Sequence, residues 1–189
     1  MFVQTQDTPN PNSLKFIPGK LVSNNGSFEI NNKDEVNNDL IRNILSINGV
    51  TGIFLGEDFL SVNKKENINW EDVKHIVISL INEFYSDGKE FIIDKKSDDE
   101  KKADFDEIEK QIIKILDTKI KPAVARDGGD IKFKEFKKGV VTVQLQGSCS
   151  GCPSSAMTLK QGVQNLLCHY IPEVKEVIAV WNKNYLIYR

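Results

Sequence analysis

The sequence predicts an α+β protein of two small domains, each with helices packed on a small sheet. Its length of 189 residues suits two domains of roughly 90 residues each, near the lower limit for independent folding. A run from Asp94 to Asp104 holds nine charges in eleven residues. Such a run cannot bury enough apolar surface to offset its conformational entropy, so it favours a linker. We therefore expect domains at residues 1–94 and 105–189, joined by a linker at residues 95–104.

The pattern of the first domain alternates strands with helices. Short β-rich runs predict strands at residues 14–17 and 27–30, and two more flank the turn at residues 56–58 as a hairpin. Apolar residues at helical spacing predict one helix that stops at residues 48–49. A second helix is expected to follow Asn69, which serves as its N-cap.

The second domain begins with a helix that has one apolar face. That face consists of Ile108, Ile112, Ile115, Leu116, Ile120 and Val124. Asp106 or Asp104 can cap its start. Pro122 should kink or tighten its last turn, because proline removes a backbone donor and crowds the carbonyl four residues back. One of the two glycines in residues 127–130, Asp-Gly-Gly-Asp, is expected to end the helix in the left-handed conformation.

Two strands, a helix and a last strand complete the second domain. The runs IKFKEF and GVVTVQLQG predict strands on either side of a turn at residues 138–139. A strongly amphipathic helix follows from Pro153, and the run beyond Pro172 predicts the last strand. The apolar stripe of that helix consists of Ala156, Leu159, Val163, Leu166, Leu167 and Tyr170. The predicted order of the C-terminal domain is therefore α-β-β-α-β, with helices on one face of a small sheet.

Two cysteines, Cys149 and Cys152, lie in the segment QGSCSGCP between the second strand and this helix. Proline is favoured at the first position of a helix, so the helix should begin at Pro153. The free N–H groups of its first turn and the helix dipole favour thiolate over thiol, so both cysteines should be more acidic than an ordinary cysteine. Thiolates at this spacing can close a disulfide, as in thioredoxin-like enzymes, or supply half of a four-ligand metal site.

The rest of the chain does not complete such a metal site. Cys168 lies sixteen residues beyond Cys152 on the same predicted helix, roughly 24 Å away, and the same distance excludes His169. Cys168 is expected on the face opposite the apolar stripe, and His75 as a structural or surface histidine. The missing ligands most simply come from a second copy of the chain, which predicts a homodimer, or a larger assembly, bridged by a metal centre. Spacing alone does not choose between zinc and a 4Fe-4S cluster.

Composition narrows the classes of partner. The formal net charge of -2, from 25 basic and 27 acidic residues, provides no electrostatic footprint for nucleic acid or an anionic membrane. No apolar run approaches the roughly 18 residues that a membrane span needs. The first residues show neither a signal peptide nor a transit peptide, so we expect a cytoplasmic protein or an already processed chain.

Two pairs of segments carry a resemblance to a known family. The segments KPAVARDGGDIKF and VVTVQLQGSCSGCPSSAMTLKQGVQNLLCHYIPEV resemble the C-terminal domain of NifU-like (Nfu-type) iron-sulfur scaffold proteins, whose hallmark is Cys-x-x-Cys-Pro-Ser-Ser. The segments MFVQTQDTPNPNSLKFIPG and GVTGIFLGEDFLSV are similar to the Nfu N-terminal domain of bacterial and mitochondrial members. The resemblance covers nearly the whole chain, with both domains in the family's order.

The resemblance implies a non-enzymatic scaffold or carrier for iron-sulfur cluster assembly. In this family one 4Fe-4S cluster is held between two protomers, which implies Cys149 and Cys152 as ligands here. The cluster passes to apo-proteins after supply by upstream iron-sulfur assembly proteins, in the cytoplasm of bacteria or the mitochondrial matrix. The N-terminal domain is expected to dock partners, and a turn accounts for the glycines of residues 127–130. The alternatives are a monomeric thiol-disulfide oxidoreductase and a structural zinc-bridged interaction protein.

Overall fold

The chain forms two compact units, Met1–Asp98 and Asp99–Arg189. The computed structural model describes residues 2–24, 26–90, 92, 105–149 and 153–181, with the backbone alone at residues 153–156 and 181. The charged run of residues 94–104 lies outside the described residues, so the linker and the predicted domain limits stay predictions.

The first unit contains a five-stranded antiparallel sheet with the order β1-β2-β5-β4-β3. Its strands are β1 Gln4–Asp7, β2 Ser13–Ile17, β3 Phe28–Ile30, β4 Val50–Leu55 and β5 Leu60–Lys64. Its helices are a 3-10 turn at Lys33–Glu35, α1 Asp39–Leu45 and α2 Trp70–Ser86. The strands at residues 14–17 and 27–30, the hairpin and both helices are confirmed. β1 was not predicted from the sequence.

The core of the first unit lies between the helices and one face of the sheet. Apolar side chains of β2, β4 and β5 are buried with those of both helices, among them Leu14, Phe16, Ile53, Leu60, Val62, Ile41, Ile44, Val77 and Ile81. Asn38 caps α1, since its side-chain oxygen accepts the Ile41 N–H at 3.1 Å. Asn69 occupies the predicted N-cap position of α2, but its side chain makes no capping hydrogen bond. The predicted N-cap residue and the start of α2 are therefore confirmed.

The second unit has the predicted order α-β-β-α-β, with the first helix divided by a wide turn. Its elements are α3 Glu107–Ile115, a π-helical turn Leu116–Ile120, α4 Lys121–Arg126, β6 Gly129–Lys137, β7 Val140–Gly147, α5 Pro153–Tyr170 and β8 Glu176–Trp181. β7 is the central strand, antiparallel to β6 and parallel to β8. The α+β fold class is confirmed in both units.

Pro122 does not tighten the last turn of the first helix, which is one of the two effects predicted for it. The turn before it is widened rather than tightened, since the N–H of Lys121 donates to the carbonyl of Leu116, five residues back. Pro122 lies in the first turn of α4, where its missing N–H breaks no hydrogen bond. A π-helical turn thus accommodates the proline. Asp106 is the cap at the other end of the helix, in a complete capping box with Glu109.

The core of the second unit confirms helices on one face of the sheet but corrects the orientation of α5. Val163 and Leu167 are fully buried against the sheet, whereas Leu166 is only half-buried and Tyr170 is 49% exposed. Cys168 is half-buried and packs against the core, so the prediction that it faces away from the apolar side is wrong. The helix is turned towards β8, because the Gln164 side chain accepts a hydrogen bond from the backbone of that strand.

Candidate metal centre

The predicted ligands lie in the connection between the central strand and the long helix. β7 ends at Gly147 and α5 begins at Pro153, as the sequence predicts. The structure describes this connection as far as Cys149. Cys152 lies outside the described residues, so its pairing with Cys149 in one site stays a prediction.

Two glycines direct the chain at this end of the hairpin. Gly147 has a φ of 71° at the end of β7, and Gly128 has a φ of 82° just before β6. Both values lie in the left-handed region, which other residues rarely adopt. Gly128 therefore ends the first helix, as predicted, while its neighbour Gly129 is already the first residue of β6.

Ser148 ties the cysteine loop to the turn before β6. Its N–H donates to the carbonyl of Gly128 at 3.1 Å, and its hydroxyl donates to the carbonyl of Asp127. Both bonds cross from the end of β7 to the Asp-Gly-Gly-Asp segment. The sequence shows Ser148 only as a small polar residue beside a cysteine, and no local pattern reveals these long-range bonds.

Cys149 is placed against the core rather than on the surface. It is 7% exposed and belongs to the buried apolar cluster of the second unit. Its Sγ lies 4.0 Å from the Ser148 hydroxyl oxygen. A thiol in this position has a defined location before any ligand is present, because it packs within the buried apolar cluster of the second unit.

The start of α5 supplies a favourable electrostatic environment next to this segment. Its first turn contains no acidic residue. A helix N-terminus carries free backbone N–H groups and about half a positive charge, which stabilise an anion close to it. No carboxylate in that turn counters this effect. The prediction that the two cysteines are acidic stays a prediction.

The remaining candidates lie away from this site. Cys168 is fifteen residues beyond Pro153 on α5, which corresponds to roughly 22 Å along the helix axis. His169 is exposed on the same turn, with its ring 5.0 Å from that of Tyr170. His75 is exposed on α2, as predicted. In the part of the chain that the structure describes, no three His, Cys, Asp or Glu side chains form a group that could hold a metal ion.

The length and apolar content of a helix determine whether it can cross a membrane. Among the described residues, none of the helices is long and apolar enough to span a bilayer.

Two protein-family models match this chain. A NifU-like domain matches residues 112–178, and the model described as the N terminus of the scaffold protein Nfu/NifU matches residues 3–88. These ranges fall in the second and the first unit, respectively.

Individual relatives match almost the whole chain. A human protein named NFU1 iron-sulfur cluster scaffold homolog, mitochondrial, is 43% identical over 183 residues, which are 95% of this chain and 72% of the human one. The protein of the same name from Drosophila erecta is 43% identical over 97% of this chain and 66% of its own length. NifU-like protein 4, mitochondrial, from Arabidopsis thaliana is 41% identical over 94% of this chain and 65% of its own. The chain thus spans about two thirds of the length of these relatives.

Proposed function

The chain belongs to the Nfu/NifU family of scaffold proteins, and on that premise we propose that it carries an iron-sulfur cluster and delivers it to apo-proteins. The cluster is cargo, so the protein acts as a scaffold or carrier and not as an enzyme. The observation that carries the proposal is the position of Cys149, which is anchored between the end of β7 and the start of α5. The names of the human and Drosophila relatives support it.

The proposed ligands are Cys149 and Cys152 of one chain and the same pair of a second copy. Iron-sulfur clusters of the 4Fe-4S type take four thiolates, and one chain offers only this pair. The third cysteine, Cys168, is roughly 22 Å away along a continuous helix. A two-fold axis through the cluster brings in the same two thiolates of the second copy, so the sequence needs no further cysteine ligand. We therefore propose one 4Fe-4S cluster per homodimer.

Release is as important to a carrier as binding. Thiolates bind iron only when deprotonated, and the start of α5 favours that state. A cluster held by two short segments, one from each chain, separates from the protein when the protomers part. This arrangement suits transfer to an acceptor better than permanent storage.

The proposed partners follow from this role. They are apo iron-sulfur proteins as recipients and upstream iron-sulfur assembly proteins as donors. The first unit contains no cysteine and a single histidine, His75, which is exposed and isolated. We therefore assign it to docking of partner proteins rather than to cluster binding. The relatives are named as mitochondrial, which supports the mitochondrial matrix as location, with the bacterial cytoplasm as the other possibility.

Anaerobic reconstitution of the full chain with iron and sulfide tests the function. We expect four iron and four sulfide per dimer by chemical analysis, a visible absorption band, and a solution mass that doubles with loading. The variants Cys149→Ala and Cys152→Ala should lose all three, while Cys168→Ala, the matched control, should keep them. The loaded protein should then activate an apo 4Fe-4S enzyme when mixed with it.

Two other outcomes would replace the proposal. A colourless protein that stays monomeric and catalyses disulfide exchange would identify a thiol-disulfide oxidoreductase. Stoichiometric zinc that resists chelation, with no uptake of iron, would identify a zinc-bridged interaction protein.

A further inference from the structure

We infer that Gly129 is a positioning residue for the Cys149 thiol, and that the Asp-Gly-Gly-Asp segment exists in part to hold this ligand in place. The inference rests on the proposed function in one respect, namely that Cys149 binds the cluster. It goes beyond the turn that the sequence assigns to both glycines of the segment.

The backbone conformation of Gly129 does not explain why the residue is glycine. Gly128 has a φ of 82° and needs the freedom of glycine, whereas Gly129 has no positive φ and pairs with Gly147 in the β6–β7 ladder. An alanine could adopt the backbone angles of a strand at residue 129. The requirement for glycine must therefore come from the space around it.

That space is occupied by the end of β7 and by the cysteine loop that follows it. A β-carbon on residue 129 would lie 2.9 Å from the Cys149 Sγ and 2.6 Å from the carbonyl oxygen of Gln146. Real β-carbons essentially never approach other heavy atoms closer than 3.0 Å. The Cys149 Cβ, at 3.4 Å, also lies in the same direction. The missing side chain of Gly129 thus leaves room for two groups, the Gln146 carbonyl of β7 and the Cys149 thiol, and the part next to the sulfur is the recess that receives the thiol.

Hydrogen bonds hold the adjacent residue at the same place. Ser148 donates its N–H to Gly128 and its hydroxyl to Asp127, the two residues that precede Gly129. The segment therefore holds the loop in two ways: the carbonyls of Asp127 and Gly128 accept hydrogen bonds from Ser148, and Gly129 has no side chain that would displace the Cys149 thiol. Together they fix the sulfur position from the β6 side, independently of the helix on the other side of the loop.

A positioned thiol matters more for a shared cluster than for a cluster inside one chain. Ligands held close to their final geometry bind more tightly, because less conformational freedom is lost on binding. A substitution that displaces the Cys149 thiol also displaces two of the four proposed ligands, since both protomers carry the same change. Loss of the recess should therefore weaken cluster retention without removing a ligand.

The rate of alkylation by iodoacetamide tests the recess in the apo-protein. A parent chain with Cys152→Ser and Cys168→Ser retains Cys149 as its single thiol. Gly129→Ala should raise its alkylation rate roughly tenfold, because an overpacked site expels the side chain from its buried position. Gly139→Ala is the matched control. It strains the other end of the same hairpin, where φ is 85° and the added carbon lies 3.0 Å from Lys175, and it should leave the rate within about twofold of the parent.

Cluster retention tests the link to function. In the chain with all three cysteines, Gly129→Ala should lose its reconstituted cluster to a chelator roughly tenfold faster than the unsubstituted protein, and Gly139→Ala should not. If the unsubstituted protein takes up no cluster, the proposed function fails, and alkylation still decides whether Gly129 positions the thiol. Faster alkylation with unchanged cluster loss would overturn the positioning role.

Two alkylation results would also overturn the inference. One is a parent-like rate in Gly129→Ala, and the other is an equal increase in Gly139→Ala, which would indicate general loosening of the unit. Should Gly129→Ala not fold, as judged by circular dichroism, Ser148→Ala decides. It removes one hydrogen bond to Asp127 and should raise the rate roughly threefold, and an unchanged rate contradicts the inference.

Discussion

The rotation of α5 about its own axis can be measured with two neighbouring leucines. Leu167 is completely buried in the core of the second unit, whereas Leu166 is half-buried and lies outside that core. Truncation of a fully buried leucine leaves a cavity and costs about 2–5 kcal/mol of unfolding free energy. We expect about 3 kcal/mol for Leu167→Ala. Leu166→Ala is a matched control of the same chemistry and should cost about 1 kcal/mol or less.

Urea unfolding of the second unit provides the measurement. The chain has one tryptophan in each unit, Trp70 on α2 and Trp181 on β8. In a Trp70→Phe background the fluorescence reports on the second unit through Trp181. Thermal unfolding followed by the same fluorescence gives a second readout. At roughly 4–8 °C per kcal/mol for a domain of this size, Leu167→Ala should lower Tm by about 12–24 °C. Equal losses in the two leucine variants, or a larger loss in Leu166→Ala, would refute the orientation of α5.

Two further predictions concern the capping box and a half-buried phenol. Asp106→Ala removes the N-cap of α3 and should lower the unfolding free energy of the second unit by about 1 kcal/mol in urea, with an unchanged m-value. A loss as large in Asp117→Ala, an exposed acid of the following π-helical turn that forms a half-exposed ion pair with Lys121, would contradict the capping explanation. Burial raises the pKa of Tyr85 from 10.0 to about 12, and its hydroxyl donates to the Leu21 carbonyl at 2.8 Å. The folded chain therefore holds the phenol proton more tightly than the unfolded chain, so the first unit should lose stability as pH rises from 10.0 towards about 12. Urea unfolding of the first unit across that range should show a smaller loss for Tyr85→Phe than for the unsubstituted protein, and an equal loss would contradict the prediction.

Local patterns explain most of what the sequence predicted correctly. The strands around residues 138–139, the cap at Asp106 and the helix end at Gly128 each depend on residues within a few positions of one another. β1 shows the opposite case. Its sequence, Gln-Thr-Gln-Asp, has no apolar alternation, and it becomes a strand because β2 offers it an unpaired edge. Tertiary pairing overrode weak local propensity there.

The orientation of α5 could not be read from its apolar stripe alone. Leu166, Leu167 and Tyr170 lie close together on a helical wheel, and periodicity does not show which of them faces the sheet. The parallel strand β8 settles this, because α5 must cover it as well as β7. The same rotation brings Cys168 to the edge of the core. A cysteine that the wheel assigned to the outer face is in fact a packing residue.

The candidate site was partly visible in the sequence. The spacing of Cys149 and Cys152 and the proline after them indicated a ligand pair at a helix start. The contact between Gly129 and Cys149 was not visible, because twenty residues separate them and antiparallel register alone brings them together. The resemblance identified the segment around Gly129, and only the geometry shows what its second glycine contacts.

The parallel pairing of β7 with β8 sets an order for the folding of the second unit. β6 and β7 form a hairpin whose first partners, Lys137 and Val140, are three residues apart, so this pairing closes early. β8 begins its pairing through Val140 and Glu176, which must wait for the whole of α5 to be in place. The recess at Gly129 belongs to the hairpin. We therefore expect the recess for the Cys149 thiol to form when β6 and β7 pair, before β8 completes the sheet.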